Sequence, residues 1–143
     1  MSHDGCAFGE LSVRDCLDRL ASTPVGRIAF SQNALPAMVP VNFVLDAGHI
    51  VFRTTPGSKL DAAVRGAVVA FEADHIDPGA HTGWWVLVVG RCSHETAPSV
   101  IEHLDRLPLD PWLPDPTNHF VRISCEQITG SILEGRARTA RGR

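Results

Sequence analysis

The sequence of 143 residues has no tyrosine, a single lysine against twelve arginines, only four cysteines, and no apolar run that approaches the length of a membrane span. Each shortage excludes something. A spanning helix needs ~18 or more apolar residues in succession. The first ten residues, MSHDGCAFGE, carry acids where a secretory signal carries a basic and then an apolar stretch. The expectation is a cytoplasmic chain with no membrane partner. Cys6, Cys16, Cys92 and Cys125 form no CxxC pair, which argues against a structural zinc or a redox dithiol, and a cytosolic poise leaves them as reduced thiols. The phosphate loops GxxxxGK[ST] and GxGxxG are absent, as is the nucleophile elbow GxSxG. Positive charge is scarce too. Sixteen acids meet thirteen cations, and four of those cations (Arg136, Arg138, Arg141, Arg143) crowd into the last eight residues. The body before them carries an acidic excess, the opposite of a nucleic-acid-binding face.

What is present suits one compact domain: 44% hydrophobic and 20% charged residues in a chain of domain size. Ser12 caps a helix that runs to about residue 21, with Val13, Cys16, Leu17 and Leu20 on one stripe, and Pro24 ends it. The period then changes to two. Strands are predicted over 25–30, 37–45 and 49–54, joined by turns at 31–33 and 46–48 and read as an antiparallel meander. Pro40 lacks a backbone donor, so its strand is an edge there, or bulged, or turned toward a ligand. A turn at 55–58 leads to a short helix over 59–65, a strand over 67–72, a polar loop over 74–83 and a long apolar strand over 84–92 that crosses a barrel centre. Thr96 and Pro98 open a last helix. Four prolines between 108 and 116 forbid regular structure. A strong strand follows over 120–125, Thr129-Gly130 interrupts it, and 131–133 resume it. The fold class is mainly β (α+β): an antiparallel barrel of six or seven strands with about three short peripheral helices. Residues 1–10 are assigned to a flexible N-terminus, 11–134 to the domain, and 135–143 to a disordered basic tail.

The richest stretch is Arg53-Thr54-Thr55-Pro56-Gly57-Ser58-Lys59. It gathers a guanidinium, hydroxyls, a glycine turn, a helix start and an ammonium within seven residues, a set suited to a phosphate. The plainer alternative has Arg53 paired with an acid such as Asp61, Ser58 as a helix cap and Lys59 as solvated surface. The scarcity of lysine favours a specific role for Lys59.

The ordered set VGRIAF (25–30), PVNF (40–43), IVFRTTPGSKL (50–60), VAFEAD (69–74), GWWVLVVGR (83–91), PW (111–112) and HFVRI (119–123) resembles the pyridoxamine 5'-phosphate oxidase-like FMN-binding split-barrel family, and in particular its small actinobacterial members. The resemblance implies a split β-barrel and a homodimer with a flavin in each of two grooves at the subunit interface. It implies that Val39, Pro40, Val41 and Asn42 run along the flavin ring, with Asn42 at its polar edge. Arg53, Thr54, Ser58 and Lys59 match the positions that hold the phosphate. Trp85 sits where a crossing strand reaches the flavin, and Trp112 resembles an aromatic lent by the second subunit. The departures are a bulky Trp85 where a small polar residue is usual, Ser58 where some relatives have a cation, and GRARTARGR in place of the Arg/His substrate motif of enzymes that make pyridoxal phosphate.

These observations lead to an FMN-dependent oxidoreductase that passes reducing equivalents from NAD(P)H to a small acceptor. The alternatives are the deazaflavin F420 in the same groove, or a non-catalytic carrier of a flavin or haem. No catalytic acid–base pair is forced by the sequence. The histidines His49, His75, His81, His94, His103 and His119 are scattered, and no metal is expected; His119 begins a strand that leads toward the groove.

Overall fold

A computed structural model describes residues 8–109 and 118–135. Helix α1 (Val13–Ala21) starts where Ser12 Oγ accepts the Asp15 N–H at 3.1 Å. Cys16 and Leu20 are fully buried, while Val13, at the end of the same stripe, stays exposed. Strands β2 (Val25–Gln32) and β3 (Leu35–Asn42) form a hairpin whose two turn residues, Asn33 and Ala34, both have left-handed φ, at 52° and 64°. Such a turn matches the twist of the strands it joins.

At Phe43 the chain changes sheets. Its N–H donates to the Pro24 carbonyl at 3.1 Å, and its ring meets Phe71 edge-on at 4.7 Å. Strand β4 (Val44–Asp46) then pairs with β5 (His49–Thr54). With β6 (Val68–Asp77), β7 (Thr82–His94) and β8 (His119–Ser124), the strand order is β3-β2-β6-β7-β8-β5-β4, so β3 and β4, consecutive in sequence, are the two edges. The predicted meander is corrected: the segment over 37–45 is two strands, because burying Phe43 in the core requires the chain to step from one edge to the other. Pro40 does lie on an edge strand, where a missing donor costs no ladder bond.

Helix α2 (Lys59–Val64) follows β5, then β6 (Val68–Asp77) and β7 (Thr82–His94). The polar loop predicted over 74–83 is instead mostly ladder: Asp74 pairs with Trp85, His75 with Trp84 and Asp77 with Thr82. Polar side chains do not end a strand whose backbone has a partner, and only 78–81 turn, with Asp77 Oδ1 accepting the amides of Gly79 and Ala80 at 3.0 and 3.2 Å. Helix α3 (Pro98–Asp105) has Ala97, not Thr96, at its cap. Strand β8 (His119–Ser124) pairs with β5, and β9 (Gln127–Glu134) pairs with residues 82–89 of β7. Gly130 does not break β9. A Cβ there would come within 2.7 Å of Cys16 Sγ, so the glycine lets α1 settle on the sheet. Strand β1 (Phe8–Glu10) pairs with β9, so these three residues leave the flexible N-terminus to which the sequence reading gave them.

The nine strands among the described residues thus make a curled antiparallel sheet, a split β-barrel with three peripheral helices. Seven of these strands form the continuous path of the sheet, the expected number, and β1 and β9 lie off that path. The core lies inside the curl, around Phe43, Phe52, Phe71 and Ile123. A second cluster of Val51, Leu104, Leu109 and Phe120 lies under α3. At ~1.5–3 kcal/mol for each large side chain fully buried, these two clusters supply the main driving force for the curl.

Candidate functional site

The ladder between β4 and β5 stops at Val44 and Val51. Beyond it, Asn42 swings away to face Val25 of β2 while Phe52, Arg53 and Thr54 continue along β8. The barrel is split at this point, with β3 on one side and the end of β5 on the other.

Alternation along β5 sends Arg53 and Thr54 to opposite faces. Arg53 lies toward α3, its guanidinium 4.7 Å from the centre of the Phe120 ring and 4.0 Å from Asp105 Oδ1. Its side chain is 21% exposed and its Nε is buried without a partner. Thr54 points inward, is buried, and donates its hydroxyl to Asp61 Oδ1 at 2.6 Å. Ser58 caps α2 by accepting the Asp61 N–H at 3.0 Å, which leaves its own hydroxyl proton available. Lys59, the next residue, is exposed and has no ion pair among the described residues.

Asp61 is the centre of this end of the barrel. Besides Thr54, its Oδ1 receives His94 Nε2 from the end of β7 and His119 Nδ1 from the start of β8, both at 2.9 Å. Oδ2 accepts the Gly57 amide at 3.4 Å and Arg65 at 3.5 Å. Burial pushes the Asp61 carboxyl up, but hydrogen bonds from Thr54, His119 and His94, with the charge of His119, outweigh it and hold the group well below the usual carboxylate range. The plainer alternative is therefore met in part: Ser58 is a cap, and Arg53 pairs with Asp105 rather than with Asp61.

The remaining candidates lie elsewhere. Val41 is buried and Val39 half-buried against the core, so only their backbone faces the split; Pro40 is exposed, and Asn42 is half-buried on the outer face. Trp85 is half-buried on that outer face, edge-on to Phe8 at 6.0 Å. Nine steps along β7 separate it from His94, about 30 Å at the rise of a strand, so one chain does not bring Trp85 to Arg53. Trp112 lies outside the described residues.

The sequence reading missed the joint role of Asp61, His94 and His119. They are 33 and 25 positions apart, and only the pairing of β7 with β8 brings the two histidines within 5.6 Å of each other, ring centre to ring centre. A cleft of about 300 Å³ between the end of α1, β4 and the segment after α3 is lined by apolar and hydroxyl residues with no titratable side chain. The three described cysteines are unpaired, and burial pushes the Cys92 thiol up to about 12, so none of them offers a ready thiolate.

The sequence profile of the family described as Pyridoxamine 5'-phosphate oxidase matches residues 12–132. The chain belongs to that family. The uncharacterized protein Rv0080 of Mycobacterium tuberculosis (strain ATCC 25618 / H37Rv) is 37% identical over 135 residues, covering 91% of this chain and 88% of that protein. The FAD binding protein from Mycobacterium smegmatis has a similar structure, with a TM-score of 0.80 and 33% identity over 91% of this chain and 100% of the other. A conserved protein of unknown function from Corynebacterium diphtheriae, DIP1874, superposes with a TM-score of 0.72 at 32% identity, over 87% of this chain and 96% of its own. The family's split-barrel fold is the one described above. Among the described residues no helix is long and apolar enough to cross a membrane.

Proposed function

We propose that the chain binds a flavin nucleotide at the split, with the phosphate on Arg53, Ser58 and Lys59, and that it acts as a homodimeric oxidoreductase. The observation that carries this reading is the buried Nε of Arg53, without a partner among the described residues, six positions before Lys59, which stands exposed at the start of α2. In an acidic chain, two cations with unspent donors on either side of the turn that follows β5 fit an anion. The Thr54 hydroxyl drops out of the phosphate set, because its proton is already given to Asp61. Thr54 instead fixes the turn that presents Ser58 and Lys59. FMN and FAD share the phosphate next to the ribityl chain, and a relative at 33% identity is described as FAD-binding, which supports a flavin without choosing between the two.

A second copy is part of the reading. Met38, Val68, Leu87 and Phe8 are 62%, 53%, 40% and 62% exposed and share the outer sheet face with Trp85. An apolar face of this kind suits an interface. Pairing it with its counterpart lets one subunit's Trp85 approach the other's split. When bound, the flavin would supply two-electron transfer, here from NAD(P)H to a small acceptor. Arg53 and Lys59 anchor it, and Asn42 borders the split where the ring would lie.

The test is titration of the purified chain with FMN, FAD, F420 and haem, with the mass in solution measured by light scattering. Binding of FMN or FAD by a dimer is expected, and Lys59→Ala should weaken it about tenfold or more while leaving the melting curve unchanged. Binding of F420 or haem alone, or of no cofactor, would overturn the reading, as would a monomer that binds flavin with Lys59 replaced.

A further inference from the structure

The convergence on Asp61 asks more of one atom than hydrogen bonding comfortably supplies. A carboxylate oxygen has two lone-pair positions, yet Oδ1 takes three donors, from Thr54 at 2.6 Å and from His94 and His119 at 2.9 Å each. The ligand-type atoms of Asp61, His94 and His119 all lie within 4.8 Å of one another. With metal–ligand bonds of ~2.0–2.1 Å, neighbouring ligands of one ion stand about 2.9 Å apart in an octahedral shell and about 3.3 Å apart in a tetrahedral one. The two Asp61–histidine edges have that spacing already.

We propose that Asp61, His94 and His119 form a binding site for a divalent first-row transition ion such as Zn²⁺ or Fe²⁺, with two imidazoles, one carboxylate and the remaining coordination positions open. An ion placed among the three atoms replaces two N–H donors with two nitrogen lone pairs and relieves the crowding at Oδ1. Two imidazoles and a carboxylate with vacant positions are a ligand set suited to such ions.

The surroundings match what a site of this kind needs. The His94 and Asp61 side chains are 6% and 5% exposed, whereas His119 is 40% exposed, so the site has dry walls and one open side. The carboxylate is oriented from outside by the Thr54 hydroxyl, the Gly57 amide and Arg65, the supporting shell that metal-bound carboxylates characteristically have. Coordination by His94 Nε2 moves its proton to Nδ1, which is buried without a partner in either form, so the exchange creates no new orphan. At His119 coordination displaces the Nδ1 proton and leaves the ring neutral, with its remaining proton on Nε2. The inference uses neither Arg53 nor Lys59 and stands whether or not the chain binds a flavin.

The experiment uses untagged protein, stripped with a chelator and titrated with Co²⁺. One equivalent should bind per chain with visible d–d bands that Zn²⁺ then abolishes. His119→Ala, at the open side, should lose more than about 100-fold in affinity and Thr54→Val, one shell out, about tenfold, with circular dichroism confirming that each variant is folded. Absence of stoichiometric binding, or undiminished binding by folded His119→Ala, overturns the proposal and leaves the cluster as a hydrogen-bonded staple. Should His119→Ala fail to fold, nitrogen-15 spectra of the wild-type histidine rings decide. Zn²⁺ must shift His94 Nε2 and His119 Nδ1, and shifts confined to His3, His49, His75, His81 or His103 overturn the site.

Discussion

Asp61 is a buried carboxylate and Glu72 a half-buried one, and the fold treats them in opposite ways. Asp61 meets donors from four elements and is held well below its ordinary 3.8 in spite of its burial. Glu72 lies on the outer face of β6, where burial and neighbouring Asp74 push it up to about 7. Its one counterweight is Arg27, 3.4 Å from Glu72 and 3.6 Å from Asp74, a single guanidinium divided between two acids. Burial therefore does not by itself set the state of an acid; the ratio of donors to acceptors around it does. One end of the barrel is saturated with donors, and the outer sheet face is short of them.

The sharpest way to break this contrast is Asp61→Ala. Removing the acceptor leaves a buried imidazole and the Thr54 hydroxyl unsatisfied and should cost ~3 kcal/mol in urea unfolding at pH 7. Because the folded state lowers the affinity of Asp61 for a proton, its contribution is complete above pH 3.8 and fades below it. The gap between wild type and variant should therefore close only in acid. Thr54→Val keeps the shape and removes one donor of several; a loss of ~1.5 kcal/mol is expected from the same measurement.

Glu72→Gln is the smallest effect and has the opposite sign. Its folded-state value is raised, so this group favours folding at low pH and loses that contribution as pH rises from 4.5 through about 7. Removing the charge should raise stability at pH 8 by about 0.5 kcal/mol, screening at this partly exposed position included, and leave stability at pH 4 unchanged. Equal effects at both pH values would contradict the contrast.

Much of the fold was legible because most of it is local. The Ser12 and Ser58 caps, the alternation of β5 and the long apolar run of β7 follow from periods and side-chain chemistry, and Pro40 narrows its strand to an edge, a bulge or a ligand-facing stretch. The failures share one cause. The crossing at Phe43, the ladder through Asp74–Asp77 and the uninterrupted β9 each depend on what a distant segment offers as a partner, which no window of sequence contains. The site divides along the same line. Arg53, Ser58 and Lys59 are neighbours in sequence and were found together. In sequence Asp61 is only a possible partner of Arg53, His94 is one of several scattered histidines and His119 starts a strand that leads toward the groove; two strand pairings must be known before the three meet.

Strand β7 gives residues 82–89 to β9 and 92–94 to β8, so one strand is common to both halves of the barrel. Melting either half therefore strips a partner from the strand that the other half uses. Cys92 stands at that junction, 1% exposed, its amide bound to the Ala67 carbonyl at 2.8 Å. A thiol reagent reaches it only when the shared strand lets go, so the labelling rate at Cys92 is a clock for global opening, and the half-buried Cys125 registers the smaller fluctuations that precede it.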